Sequence, residues 1–407
     1  MSKFVIKEAT RNRCAIHKLD GSMIKNFSPI SLEFYSYLYQ VPKLNFSVFF
    51  RLENEMIEFM KPEEFSHKYL EQIWAATQKN SVEIDVCVLK KDRSKFNDVI
   101  NFIRNKKLKA LLEKDSSLDP KTLEVFGNLS GASQMIVRGG IDTRVAEKAT
   151  AAASHMMTNL MESEAAMGTL SRMIEIDSTL YDHSAAVAMF AGLMSTRFSD
   201  KPLSAQEAAL VAQCGLYHDT GKSCVPSAVL NKPGSFTDDE YEVMKTHTHL
   251  GCGELKTAQA EGAPIDDLVC RVALEHHERF DGHGYPFGRK GRLEEDPDNG
   301  IHLYSRFVAI ADAYSALLMK RVYKPALSPE KAIELMSKNA AKDFDMDIYE
   351  SFIGTIKKSL GDLDDSREER AKQAYTLKVE EQDKKDFVKL SEGALDYRTH
   401  QHDKKTS

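Results

Sequence analysis

The chain has 407 residues, 42% hydrophobic and 29% charged, which exceeds one ordinary domain and allows a sizeable core. Its formal net charge is −6 with both signs interspersed, so nothing suggests a broad nucleic-acid-binding face and no DNA or RNA polymer is expected as partner; any phosphate-bearing ligand must meet locally clustered cations. The N-terminus MSKFVIKEATRNRC lacks the apolar stretch of a signal peptide, no apolar run approaches the ~20 residues of a membrane helix, and the six cysteines form no CxxC pair, so a cytoplasmic chain with reduced thiols and no membrane association is expected.

From Arg13 to about Lys114 strand and helix signals mix. FSVFFRL and EMIEFM read as strands joined at Glu53 and Asn54 into a hairpin, and VEIDVCVLK places Val82, Ile84, Val86 and Val88 on one face with polar partners opposite. HKYLEQIWAATQ and KFNDVINFIRNKKLKALLEK read as helices, which makes residues 1–114 a small α/β or α+β domain. It carries no GxxxxGK[ST] loop and no cluster of metal ligands, and a regulatory or dimerising role rests on architecture alone.

Residues 115–140 are rich in turn formers and end in Gly139-Gly140, which predicts a connector. An Ala- and Met-rich helix then runs from Ile141 to about Ser163 and is suited to transmit the state of the first domain. Ser204 with Glu207, and Thr237 with Glu240, have capping-box spacing and open two further helices. The predicted fold class is α+β overall, a small N-terminal α/β domain followed by an all-α helical bundle over 141–360; the charge runs of 361–407 read as a solvated tail.

The helical part carries candidate metal ligands in succession: His183 in YDHSAAVA, His218 and Asp219 in LYHDTGK, His247 in MKTHTHLG, His276 and His277 in LEHHERFDG, and Asp312 in VAIADAYSAL. Adjacent residues on a helix point about 100° apart, so each doublet is expected to serve two neighbouring ions, or to let its Asp bridge them, rather than chelate one. Two ions ~3.5–4 Å apart activate water and stabilise the attacking and leaving oxygens of a displacement at phosphorus. Imidazole and carboxylate donors without thiolate point to two divalent ions, iron or manganese first, with other transition metals admissible.

The succession HDTGK, MKTHTHLG, HHERFDGHGYP and SRFVAIADAYSALLMKRVYK resembles the HD-GYP family, the branch of the HD superfamily of metal-dependent phosphohydrolases that degrades cyclic dinucleotides. The resemblance covers about Ile141 to Phe352. It implies metal ligation by His183, His218, Asp219, His247, His276, His277 and Asp312, with Asp219 bridging, and a contact of Lys222 with the scissile phosphate. It further implies phosphate binding by Arg321 and Lys324, while Arg279 and Arg306 fit family positions equally well as structural clamps. Asp281, Gly282, Gly284, Tyr285 and Pro286 would build a rigid loop beside the pocket, with Tyr285 lining the ligand site, facing a protein partner, or holding the loop. His249, His283 and His302 match no metal position.

The resemblance makes the expected function hydrolysis of cyclic di-GMP to linear pGpG, with slow further cleavage to GMP. A catalytically weak receptor or scaffold, and a phosphodiesterase for another ring such as 3',3'-cGAMP, are the alternatives; a homodimer is open. Two departures qualify the match. Thr179 stands where some members carry a glutamate that contributes to a third metal, which predicts a binuclear centre, and Ser315 stands where Asp is common, which predicts an altered hydrogen bond rather than lost activity.

Overall fold

The computed structural model describes residues 15–18, 26–30, 41, 43–52, 55–62, 85–176, 182–198, 201–230, 232, 234–319 and 327–365. The helix expected over 67–78, Val82, Ile84, Thr179, Arg321, Lys324 and residues 366–407 lie outside them.

Five strands, β1 (Ala15–Lys18), β2 (Phe27–Ile30), β3 (Val48–Leu52), β4 (Glu55–Met60) and β5 (Asp85–Leu89), form one sheet in the order β1-β4-β3-β5-β2 with every pairing antiparallel. The expected hairpin is β3–β4. Strand β5 departs from the expected polar face: Cys87 is buried with Phe49 and Met56, and Val86 and Val88 are buried opposite, because both faces of this inner strand are covered.

Helix α1 (Arg93–Lys114) buries Phe96, Ile100 and Ile103 near its start, and its later Leu108 and Leu111 enter the core of the helical region. Residues 115–140, expected as a connector, instead contain α2 (Pro120–Gly139), which packs against its neighbours α3 (Thr143–Leu160) and α5 (His183–Ser195). The local reason is legible: Asp119 accepts from the Lys121 and Thr122 amides and Pro120 starts the helix, so a cap outweighs the turn-forming content that follows.

The remaining long helices are α4 (Ala166–Ile176), α6 (Ala205–Tyr217), α7 (Asp238–Lys245), α8 (His247–Ala260), α9 (Asp267–Glu275), α10 (Leu303–Leu318), α11 (Pro329–Ser337) and α12, residues 346–365. Both expected capping boxes form, at α6 and α7. Helix α5 is buried from Ser184 through Ser195 and is the axis on which α6 and α10 pack. Phe190 on α5, Tyr314 on α10 and Phe352 on α12 meet edge to face, with centroids 5.1, 5.2 and 6.1 Å apart. No helix among the described residues is long and apolar enough to cross a membrane.

Phe352 is fully buried, so Phe352→Ala should destabilise the chain by about 3–5 kcal/mol in urea unfolding. A loss below ~1 kcal/mol would show that α12 is peripheral to the core.

Candidate metal centre

Helix ends, more than helix faces, deliver the ligands. His183 is the first residue of α5, His218 caps the C-terminus of α6, His247 opens α8, and His276 caps the C-terminus of α9 with His277 just beyond; only Asp312 lies within a helix, α10. Asp219 begins a 3-10 turn over Thr220–Cys224. That turn must lie almost on the backbone of α8: a Cβ on Gly221 would meet the His247 carbonyl oxygen at 2.0 Å and the Gly251 nitrogen at 2.3 Å. Glycine at 221 therefore sets the distance between Asp219 and His247.

The two oxygens of Asp219 face different imidazoles. Oδ2 is 3.2 Å from His218 Nε2 and 3.7 Å from His183 Nε2, while Oδ1 is 3.5 Å from His247 Nε2 and 3.8 Å from His276 Nε2. Two ligand groups result, His183-His218-Asp219 and Asp219-His247-His276-His277, in each of which the donor atoms lie within 4.8 Å of one another. Asp312 Oδ1 adjoins the first group, 3.0 Å from His183 Nε2 and 3.8 Å from His218 Nε2. All seven expected ligands are thus gathered. The doublets correct one expectation: His276 and His277 enter the same group, because His277 lies past the end of α9 and the 100° helical offset does not apply.

The hydrogen bonds fit a metal centre. The Nδ1–H groups of His218, His247 and His276 donate to the carbonyls of Gly215, Met244 and Ala273 at 2.8, 2.7 and 3.0 Å. A ring anchored this way turns its Nε2 lone pair inward. His247 Nε2 and His276 Nε2 consequently face one another at 3.4 Å, and two lone pairs so placed call for a cation between them. His218 Nε2 and Asp219 Oδ1 are buried without a hydrogen-bond partner, as atoms reserved for a metal would be.

Protonation follows the same logic. Burial, aided by neighbouring imidazoles, holds His276 and His247 below the usual histidine range and brings His277 to about 4. Burial opposes charge on Asp219 and Asp312 too, yet His218 and Lys222 hold the first well below its usual range, and the hydrogen bond and charge of His183 hold the second down. His218 moves the other way: burial disfavours its cation, but the carboxylates of Asp219 and Asp312 raise it.

Lys222 reaches the centre with Nζ 2.5 Å from Asp219 Oδ2 and 36% of its side chain exposed, so it touches the shared carboxylate and the solvent side together. Tyr285 stacks on His277, centroids 4.8 Å and 28° apart, so it both lines the centre and packs against a ligand. Its loop is tight: a Cβ on Gly284 would meet the Arg279 nitrogen at 2.2 Å, and buried Glu278 accepts from the Phe287 and Arg289 amides at 2.7 and 2.8 Å. Arg306 is a buried clamp on Asp345, at 2.6 Å, and on Glu294, while Arg279 pairs with Asp281 and Asp343. His302 caps α10, and His283 is exposed beside Asp281.

Two residues aim the ligands: Ser315, where a changed hydrogen bond was expected, and Asp182, which the sequence did not single out. Ser315 Oγ is 2.8 Å from His183 Nδ1, one helical turn beyond Asp312, so the departure at this position supplies the ring's anchor. Asp182 caps α5 beside His183 and receives the hydroxyls of Ser130 and Ser133 at 3.1 and 2.9 Å.

Ser315→Ala should weaken divalent-metal binding about 10–100-fold in competition with a chelating dye, as loss of such anchors generally does; unchanged affinity would mean that other contacts fix the ring. For metal-stripped protein, the depressed pKa values of His276, His247 and His277 make the fold bind fewer protons than the unfolded chain below about pH 6.5. Their contribution to stability is complete above that pH and is lost toward pH 4, so the melting temperature should fall across this window and recover with metal.

The HD domain family matches residues 156–348. Similar curated proteins include a cyclic di-GMP phosphodiesterase of Vibrio cholerae, 38% identical over 35% of this chain and 28% of that protein, and one of Pseudomonas aeruginosa, 34% identical over 47% and 42%. A 3'3'-cGAMP-specific phosphodiesterase of V. cholerae is 30% identical over 36% of this chain and 26% of its own. The chain thus spans less than half the length of these relatives. The match and the gathered ligands identify an HD domain protein related to the HD-GYP cyclic di-GMP phosphodiesterases.

Proposed function

We propose that this chain is a metal-dependent phosphodiesterase that opens cyclic di-GMP to the linear dinucleotide pGpG. The observation that carries this reading is the single, largely covered Asp219 with one oxygen toward each of two imidazole groups and Lys222 at its side. Two divalent cations held there, iron or manganese by the nitrogen and oxygen donor set, would lower the pKa of water and neutralise charge on the phosphate.

The chain's own groups have separable tasks. His183, His218 and Asp312 hold one side of the centre, His247, His276 and His277 the other, and Asp219 joins them. Lys222 is positioned to bind a non-bridging phosphate oxygen and to stabilise the charge that grows there as water attacks phosphorus and the 3′ oxygen departs with a proton. Tyr285, beside Tyr241 at 6.3 Å, offers an aromatic face of the kind on which nucleobases stack. Arg321 and Lys324 are assigned by resemblance to the phosphates, and Thr179 to a binuclear centre that favours the linear product, with further cleavage slow. Residues 1–114 are assigned a regulatory role, and the loop carrying Phe287, 52% exposed, is offered to a protein partner.

The names of similar proteins favour one second reading, hydrolysis of 3',3'-cGAMP. A chromatographic time course of manganese- or iron-loaded protein on each ring separates the two. Linear product is expected from wild type, about 10²–10³-fold slower with Lys222→Ala, and absent with Asp219→Ala. Faster opening of the mixed ring would reassign the substrate, and binding of both rings without turnover would make the chain a receptor.

A further inference from the structure

Apart from the metal centre, the described residues form an open cleft of about 640 Å³ where the end of β5 meets α1, α2 and α3. It lies between the sheet and the helical region and is within the size range of sites for small molecules. Among the described residues, Lys90, Lys91, Arg93, Arg144 and Lys148 line it with one carboxylate, Asp98. Lys90, Lys91, Arg144 and Lys148 alone set four positive charges against that one negative, in a chain whose net charge is −6. Lys90, Lys91, Arg144 and Lys148 pair with no carboxylate among the described residues. Like charges gathered around one cleft give it a positive potential that favours an anion of matching charge.

The floor is built to admit one. Gly127 and Gly131, four residues apart on the same face of α2, present no side chains to the space, and the amides of Asn128 and Gln134 flank them as hydrogen-bonding groups. The glycines that give residues 115–140 the look of a connector thus sit in a helix and hollow one side of it. On another face of α2, Ser130 and Ser133 bond to Asp182, which caps the helix that begins with His183. An occupant of the cavity is therefore one helix removed from a metal ligand.

We propose that this cavity is a second ligand site, separate from the metal centre, for a small phosphorylated anion of nucleotide size. Cations arriving from three elements, Lys90 and Lys91 after β5, Arg93 on α1, and Arg144 and Lys148 on α3, suit several phosphate oxygens at once. The ligand bridges the sheet region and the bundle, so it belongs to the input side of the molecule. Binding at this site is independent of whether the metal centre hydrolyses a cyclic dinucleotide.

Titration calorimetry of the full chain with ATP, with inorganic pyrophosphate and with adenosine tests it. Saturable, salt-sensitive binding of ATP is expected, with adenosine silent; pyrophosphate binding alongside would show that phosphate alone is recognised, and its failure that the nucleoside is needed. Arg144→Glu with Lys148→Glu should weaken binding at least tenfold, and Lys90→Glu with Lys91→Glu, on a different element, should do so independently in case the first pair disturbs α3. No binding by wild type, or binding by both charge-reversed variants as tight as wild type's, overturns the proposal.

Discussion

Burying Asp219 amid His183, His218, His247 and His276 creates a demand that protein groups alone meet poorly. Four imidazoles crowd one carboxylate, three of them anchored to backbone carbonyls so that their Nε2 lone pairs point inward, and two of those lone pairs face each other at 3.4 Å. An arrangement of converging acceptors is stable only with positive charge at its centre. Much of the helical architecture can be read as the means of holding that convergence in place.

The framework does so by placing helix termini, where chain direction changes and side chains from successive residues need not diverge by the helical angle. Helix α5, buried along nearly its whole length, fixes the position of His183, and the aromatic contacts of Phe190 with Tyr314 and Phe352 tie it to the helix that carries Asp312. Gly221 lets the turn after Asp219 rest on the first turn of α8. On the opposite side, Glu278 clamps the GYP loop through two amides, and that loop brings Tyr285 onto His277. The metal centre is therefore assembled from five helices and two tight backbone approaches, and its precision depends on core packing some distance from the ligands.

Much of this was legible in the sequence. The seven His and Asp residues gathered at the centre, the capping boxes at Ser204 and Thr237, and the β3–β4 hairpin carry strong local signals. What was not legible arises from tertiary context. The second face of β5 is covered by partners that one strand cannot announce, and α2 was hidden because its Gly and Ser residues read as turn formers, whereas Asp119 and Pro120 start a helix whose small residues open a cavity on one side and reach Asp182 on another. The joint service of His276 and His277 depends on where α9 ends, a boundary that periodicity locates only to within a turn. At Ser315 an altered hydrogen bond was expected, and only the placement of His183 shows that the bond is the one anchoring its ring.

The proposed chemistry stands on Asp219 joining two metal positions. Anomalous diffraction from crystals of iron- or manganese-loaded protein, with metal content measured on the same preparation, tests it most directly. Two ions per chain are expected, each within bonding distance of a different oxygen of Asp219. A single ion, a third ion, or two ions that Asp219 does not bridge would contradict it.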